Sequence, residues 1–211
     1  MSTRFSRAPI TAALLITIGV VFAFEWMTGA IWNEEVLYQM GAIVPGMLQR
    51  GEYWRVVAAM FLHADLVHVL ANSWALFQLG TLYEAMFGSK RFALIYFLSG
   101  AVASMASSLF TKGLSVGASG AILGILGAFI FSIRRSPQWR HEQWTKGLIG
   151  QLVFWAVVNI ALGFSVKYID NVAHIAGLLT GLILGFIPHR VPPPPPSEGV
   201  IDVSAAPQNQ P

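Results

Sequence analysis

The sequence predicts an all-α membrane protein, a bundle of six hydrophobic helices. Three observations predict it. Charged residues fill only 11% of the 211 positions, whereas 55% are hydrophobic and the mean hydropathy is +0.61. A soluble domain carries about 25% charge, so too few charges remain here to coat a water-facing surface. The charges that do occur divide the chain into charge-free windows at 8–24, 66–83, 92–111, 113–133, 147–166 and 171–189. Each is close to the ~20 residues that cross a hydrocarbon core as a helix. None alternates with the period of a barrel strand, and lipid admits only helices and closed barrels.

The first window follows Arg4 and Arg7, as a signal peptide would. Its apolar run from Pro9 to Phe24 is long for a signal core, and Glu25-Trp26-Met27 makes a poor cleavage site, so a retained helix is expected. Residues 25–65 then form a long first external loop with Trp26, Trp32, Tyr38, Trp54 and Phe61, a composition suited to the headgroup interface. The second helix carries His68 and Asn72, just after His63. The third and fourth windows meet at Lys112, and the fourth opens with Gly117-Ala118-Ser119-Gly120. The sixth opens with Asn171-Val172-Ala173-His174-Ile175-Ala176-Gly177. Residues 1–188 thus read as one membrane domain. Pro192 to Pro196 and the polar residues after them read as an extended, disordered tail over 189–211.

Orientation follows from Lys and Arg. With the N-terminus cytoplasmic, nine of the 13 fall on the cytoplasmic side (Arg4, Arg7, Lys90, Arg91, Arg134, Arg135, Arg140, Lys146, Arg190). Arg50, Arg55, Lys112 and Lys167 fall opposite, and both termini are cytoplasmic. The net charge of +3 is thereby explained by topology. No clustered basic face suggests a nucleic-acid partner. Cysteine is absent, which excludes disulfides, a thiol nucleophile and a Cys-based metal site.

Polar residues inside a membrane are costly and mark function by default. In this topology Ser119, His174, His68 and Asn72 all lie in the outer half of the bilayer, on the fourth, sixth and second helices. His68 and Asn72 are four apart and share a face. A serine hydroxyl needs a base to become a nucleophile, and a neutral imidazole is the usual one. Ser119 and His174 can form that pair. The oxyanion needs preset donors, which the Ser119 N–H at a helix N-terminus and the His68 and Asn72 side chains can supply. Gly177, Gly181 and Gly185 make a smooth stripe on helix six, and Gly120 and Gly124 make one on helix four, letting the two approach. Each signal alone has a plainer reading: a packing histidine, a serine bonded to a carbonyl, or a metal on His63 and His68. Ser104, Ser107 and Ser108 read as small packing residues. Asp65 and Asp170 stand at helix starts, where carboxylates are favourable, and Asp170 is spaced to orient His174.

Together these motifs resemble the rhomboid intramembrane proteases over residues 10 to 188. The resemblance rests on Trp54-Arg55, on His63, His68 and Asn72, on Gly117-Ala118-Ser119-Gly120, and on Ala173-His174 with Gly177 and Gly181. It implies Ser119 as nucleophile, His174 as base in a dyad without a required carboxylate, and His68 and Asn72 on the oxyanion side. Trp54-Arg55 matches a structural motif of the membrane-embedded first loop. The resemblance further implies transmembrane protein substrates and no metal or organic cofactor. Leu123 departs from the family, whose members often carry Tyr or Phe there, packed on the base. The small size suggests a prokaryotic inner membrane. A non-catalytic relative that binds membrane proteins is the alternative, and the intact Ser119 and His174 argue against it. A transporter would spread its polar residues across the bilayer. An α/β-hydrolase is excluded because Ala121 breaks the Gly-x-Ser-x-Gly pattern.

Overall fold

Residues 8–137, 139, 142–165 and 169–188 are described by the structure, a computed structural model. Among them all regular elements are helical, apart from one isolated bridge between Ile43 and Ser115. Helix α1 (Pro9–Thr28) is followed by a 3-10 turn and by the short helices α2 (Glu34–Met40) and α3 (Arg55–Ala58). The second span is α4 (Leu66–Ala75), a π turn over Leu76–Gly80, and α5 (Thr81–Phe87) in unbroken succession. Helices α6 (Ser89–Phe110), α7 (Ser119–Arg135), α8 (Gln143–Ser165) and α9 (Asn171–Gly185) complete six spans. By length and hydropathy α1, α6 and α8 suffice each to cross a bilayer, and α9 is apolar but shorter.

Helix α7 is the centre of the bundle. Of its 17 residues 13 are buried, which explains why it is apolar on every side. Helix α8 is the opposite case: only 11% of its apolar window is buried, so its flanks are left to lipid. Between α7 and α9 the backbones touch. A Cβ on Gly177 would lie 2.0 Å from the Gly120 carbonyl oxygen, and one on Gly181 would lie 1.8 Å from that of Gly124. No side chain fits at either place. The two glycine stripes thus meet, and the α7 glycines also admit a third helix. A Cβ on Gly120 would meet Ala103 at 2.5 Å, and one on Gly124 would meet Ser99 at 2.1 Å, both on α6. The α9 stripe lies against the backbone of α7, and the α7 glycines admit α6. One helix is thereby brought close to two neighbours.

Three expected boundaries move, two of them because a charge is put to use inside the protein. Helix α1 runs on to Thr28, so Glu25 belongs to it rather than to the first loop. Glu25 is fully buried, and its Oε1 accepts the His63 N–H at 2.8 Å. The second span passes Glu84, because that carboxylate caps α1 from another helix. It accepts the Ile10 N–H at 2.9 Å and both the N–H and hydroxyl of Thr11 at 2.8 Å. These amides belong to the first turn of α1, which has no acceptor of its own. The fourth helix starts at Ser119 rather than 113. Residues 111–118 form a connector whose backbone pairs elsewhere: Ser115 exchanges both hydrogen bonds with Ile43, and the Gly117 N–H donates to Ala59 O at 2.8 Å. The expected tail over 189–211 lies outside the described residues.

The first loop is organised by Arg55, which is buried although charged. Its guanidinium donates to Glu52 at 2.6 Å, to Ala42 O at 3.1 Å and to Tyr38 O, and it stacks on Tyr38 and Trp54. At the other end of the bundle Arg91 donates to Tyr83, to Ser132 and to the carbonyls of Leu184, Gly185 and Ile187. It neutralises the C-terminus of α9, where the helix dipole favours a cation.

Candidate active site

The nucleophile candidate is the first helical residue of α7. Gly117, two residues earlier, has φ +121°, which turns the connector into the helix and is open only to glycine without strain. No side chain caps α7. The N–H groups of its first turn are therefore left without a side-chain acceptor, and the dipole there favours negative charge.

The base candidate reaches the same point from α9. Asp170 caps this helix by accepting the Ala173 N–H at 3.0 Å. The His174 N–H then makes the first helical bond, to Asp170 O at 3.0 Å. The imidazole is buried, and its Nε2 lies 2.9 Å from Ser119 Oγ. The glycine contacts between α7 and α9 bring the two helices close enough for this contact. Leu123, buried in the core, occupies the place of the aromatic ring often seen in the resembling family, and the pair is in contact without it.

His68 and Asn72 converge on the same spot from α4. Asp65 caps that helix and accepts the His68 N–H at 2.8 Å. A Cβ on Gly117 would lie 2.7 Å from His68 Nε2 and 3.3 Å from Asn72 Nδ2. Only a glycine lets both side chains approach the backbone there. Asn72 Nδ2 is buried and has no protein partner, so it is a free donor beside the nucleophile's backbone. The His63 ring stands behind, edge-to-face with His68 at a centroid separation of 5.0 Å. It is fully buried, and its Nδ1 contacts Phe61 O at 3.2 Å.

Asp170 stands at the helix start as expected, the lesser reading of it falls, and one expectation, for Ser107, needs correction. Asp170 does not orient the imidazole through its outer nitrogen. Its carboxylate is committed to the Ala173 N–H, to Thr111 at 3.0 Å and to Ser107. His174 Nδ1 has no close hydrogen bond and faces the backbone of Asn159 on α8. Burial pushes the Asp170 carboxyl up, but the hydroxyl and amide donors outweigh it and hold the group below the usual carboxylate range. Ser107 is then more than a packing residue, since it ties α6 to α9. Sequence reasoning also missed Glu25. Its signal was an ionisable residue at the end of an apolar run, where the helix could continue past it.

Ser119 Oγ, an imidazole nitrogen in contact with it and two side-chain nitrogens close to the backbone at Gly117 are parts with which a hydroxyl can attack a carbonyl and an oxyanion can be held.

Comparison with known proteins gives a coherent set of likenesses. The sequence model of the Rhomboid domain matches residues 50–191. Rhomboid protease GluP of Bacillus subtilis (strain 168) is 34% identical over 174 residues, covering 82% of this chain and 34% of its own. RHOMBOID-like protein 6, mitochondrial, of Arabidopsis thaliana is 39% identical over 157 residues, covering 74% and 50%. The putative rhomboid protease YdcA of Bacillus subtilis (strain 168) is 30% identical over 179 residues, covering 83% and 84%. The chain thus spans a third to a half of the first two relatives and most of the third.

Proposed function

Because the chain belongs to the rhomboid family, we propose that it is an intramembrane serine endopeptidase that cleaves transmembrane proteins within or next to their membrane helix. The observation that carries this reading is the 2.9 Å contact between Ser119 Oγ and His174 Nε2 at the uncapped start of α7. His174 takes the Ser119 proton as Oγ attacks the scissile carbonyl, and returns it to the leaving amine. The Ser119 N–H, His68 and Asn72 hold the oxyanion. Water then hydrolyses the acyl-enzyme, with His174 again the base.

Depth supports the same reading. Seventeen residues of α7 rise about 25 Å, less than the roughly 30 Å of hydrocarbon. With Arg134 and Arg135 at the cytoplasmic interface, Ser119 lies below the outer surface. A substrate helix must unwind locally to offer a carbonyl there, so small and helix-breaking residues near the bond are favoured. Residues 1–188 form the protease domain, and 189–211 form a cytoplasmic tail. The lysine and arginine asymmetry supports a topology with both ends on the cytoplasmic side. Reporter fusions at Ser2 and Pro211 should both read as cytoplasmic, and an external C-terminus would refute the six-span topology.

The proposed function is tested by mass spectrometry of membrane-protein fragments released by cells carrying wild type or Ser119→Ala. Fragments cut in or beside a transmembrane helix should appear with wild type alone. Identical fragment sets would refute a protease role.

His68 and Asn72 give a sharper test of the oxyanion assignment. Loss of one such donor costs roughly 2.7–4 kcal/mol, about 10²–10³ in rate. His68→Ala and Asn72→Ala should each lower kcat by about that factor, with KM and the melting temperature nearly unchanged. A wild-type kcat in both variants would remove them from the mechanism.

A further inference from the structure

Ser119 and His174 each stand four residues downstream of a member of one hydrogen-bonded node. Asp170 precedes His174 by four, and Ser115 precedes Ser119 by four. The Asp170 carboxylate accepts from Ser107 in the last turn of α6, from Thr111 (3.0 Å) at the start of the connector, and from the Ala173 N–H (3.0 Å) in the first turn of α9. The Ser115 hydroxyl approaches the same carboxylate from the connector that leads into α7. Ser115 is itself fixed to Ile43 by paired backbone bonds of 2.9 and 3.0 Å. One carboxylate thus joins three chain segments just before two of them deliver the nucleophile and the base.

We propose that Asp170 is a positioning residue that sets the Ser119–His174 separation by clamping the start of α9 to α6 and to the connector, without contacting the imidazole. This rests on the dyad reading above. The Gly177 and Gly181 contacts fix how closely α9 lies against α7. They act from Gly177 onward, C-terminal to the turn that carries His174. The node supplies a constraint on that turn, because its donors come from α6 and the connector rather than from α9 alone. Misplacement of a reacting group by about 1 Å can cost on the order of 10²-fold in rate, so a small rotation suffices to be read kinetically.

The test uses the full chain in detergent micelles and an alkyl fluorophosphonate, with kinact and KI measured across pH. Asp170→Ala should lower kinact by about 10²-fold, with KI and the midpoint of the pH profile unmoved. Asp170→Asn should recover to within about tenfold of wild type, because its Oδ1 can still accept from Ala173 and Thr111 and its amide, in place of Oδ2, can donate to Ser107. A Ser107→Ala, Thr111→Val double variant keeps the α9 cap and removes the ties to α6 and to the start of the connector. It should lose about tenfold in kinact at a wild-type melting temperature, and it carries the test if Asp170→Ala does not fold. Wild-type kinact in that double variant overturns the proposal. So does a shifted pH midpoint in Asp170→Ala, which would make Asp170 a direct partner of the imidazole. Labelling of Ser119→Ala at the wild-type rate would instead mean that the dyad reading itself has failed.

Discussion

Ser119→Ala and His174→Ala should each lose about 10⁶-fold in cleavage rate, and the double variant should lose no more than either. In the proposed mechanism Oγ and Nε2, which lie 2.9 Å apart, act as one device. Without the imidazole the hydroxyl keeps its proton and is a weak nucleophile. Without the hydroxyl the imidazole has nothing to activate. Their losses are therefore grossly non-additive. Both variants should keep the wild-type melting temperature, because the α7–α9 contact is made by glycines and backbone and does not need this hydrogen bond. The measurement is cleavage of a reconstituted transmembrane substrate, followed beside thermal unfolding. Additive losses would mean two independent roles, and substantial cleavage by Ser119→Ala would mean another nucleophile.

Gly181→Leu should lose stability and activity together. A Cβ at this position would lie 1.8 Å from the Gly124 carbonyl oxygen. That atom belongs to the backbone of the central helix and cannot turn aside as a flexible side chain would. Overpacking a core typically costs about 1–3 kcal/mol, and a clash against backbone belongs at or above the top of that range. The helices must part, and His174 moves with α9. A displacement of about 1 Å would cost on the order of 10²-fold in rate even in the folded fraction. Gly147→Ala on α8 is the control, since a Cβ there meets nothing within 4 Å. It should be neutral or slightly stabilising, as alanine suits a helix better than glycine. If Gly181→Leu melts and cleaves like wild type, the backbone contact does not hold the pair in register.

Much of this arrangement is legible in the sequence, for a physical reason. Lipid forbids unpaired charge, so charge-free windows reveal the spans, and Ser119, His174, His68 and Asn72 stand out against an apolar background. The close approach of helices four and six is legible too, because a stripe such as Gly177, Gly181 and Gly185 has few other uses. What the windows misplace are charges that the fold itself pairs. Glu25 accepts a backbone amide from the loop, and Glu84 caps a helix 73 residues away in sequence from Thr11. A hydropathy window treats both as exits from the membrane. The start of α7 is hidden differently. Residues 113–118 are as apolar as a helix turn, and only the pairing of Ser115 with Ile43 and the positive φ of Gly117 show that the helix has not begun. Spacing suggested that Asp170 orients His174, since the two are one turn apart. The donors that claim the carboxylate, Ser107 and Thr111, lie 63 and 59 residues away from it, beyond the reach of any local pattern.

The central claim is that His174 activates Ser119 for attack. Its most direct measurement is the rate of fluorophosphonate labelling, with the modified residue mapped by mass spectrometry, in wild type and His174→Ala. Wild type should carry the adduct on Ser119 alone, and His174→Ala should fall to the background rate while remaining folded. Equal labelling of Ser119 in the two proteins, or an adduct on a different residue, would contradict the account.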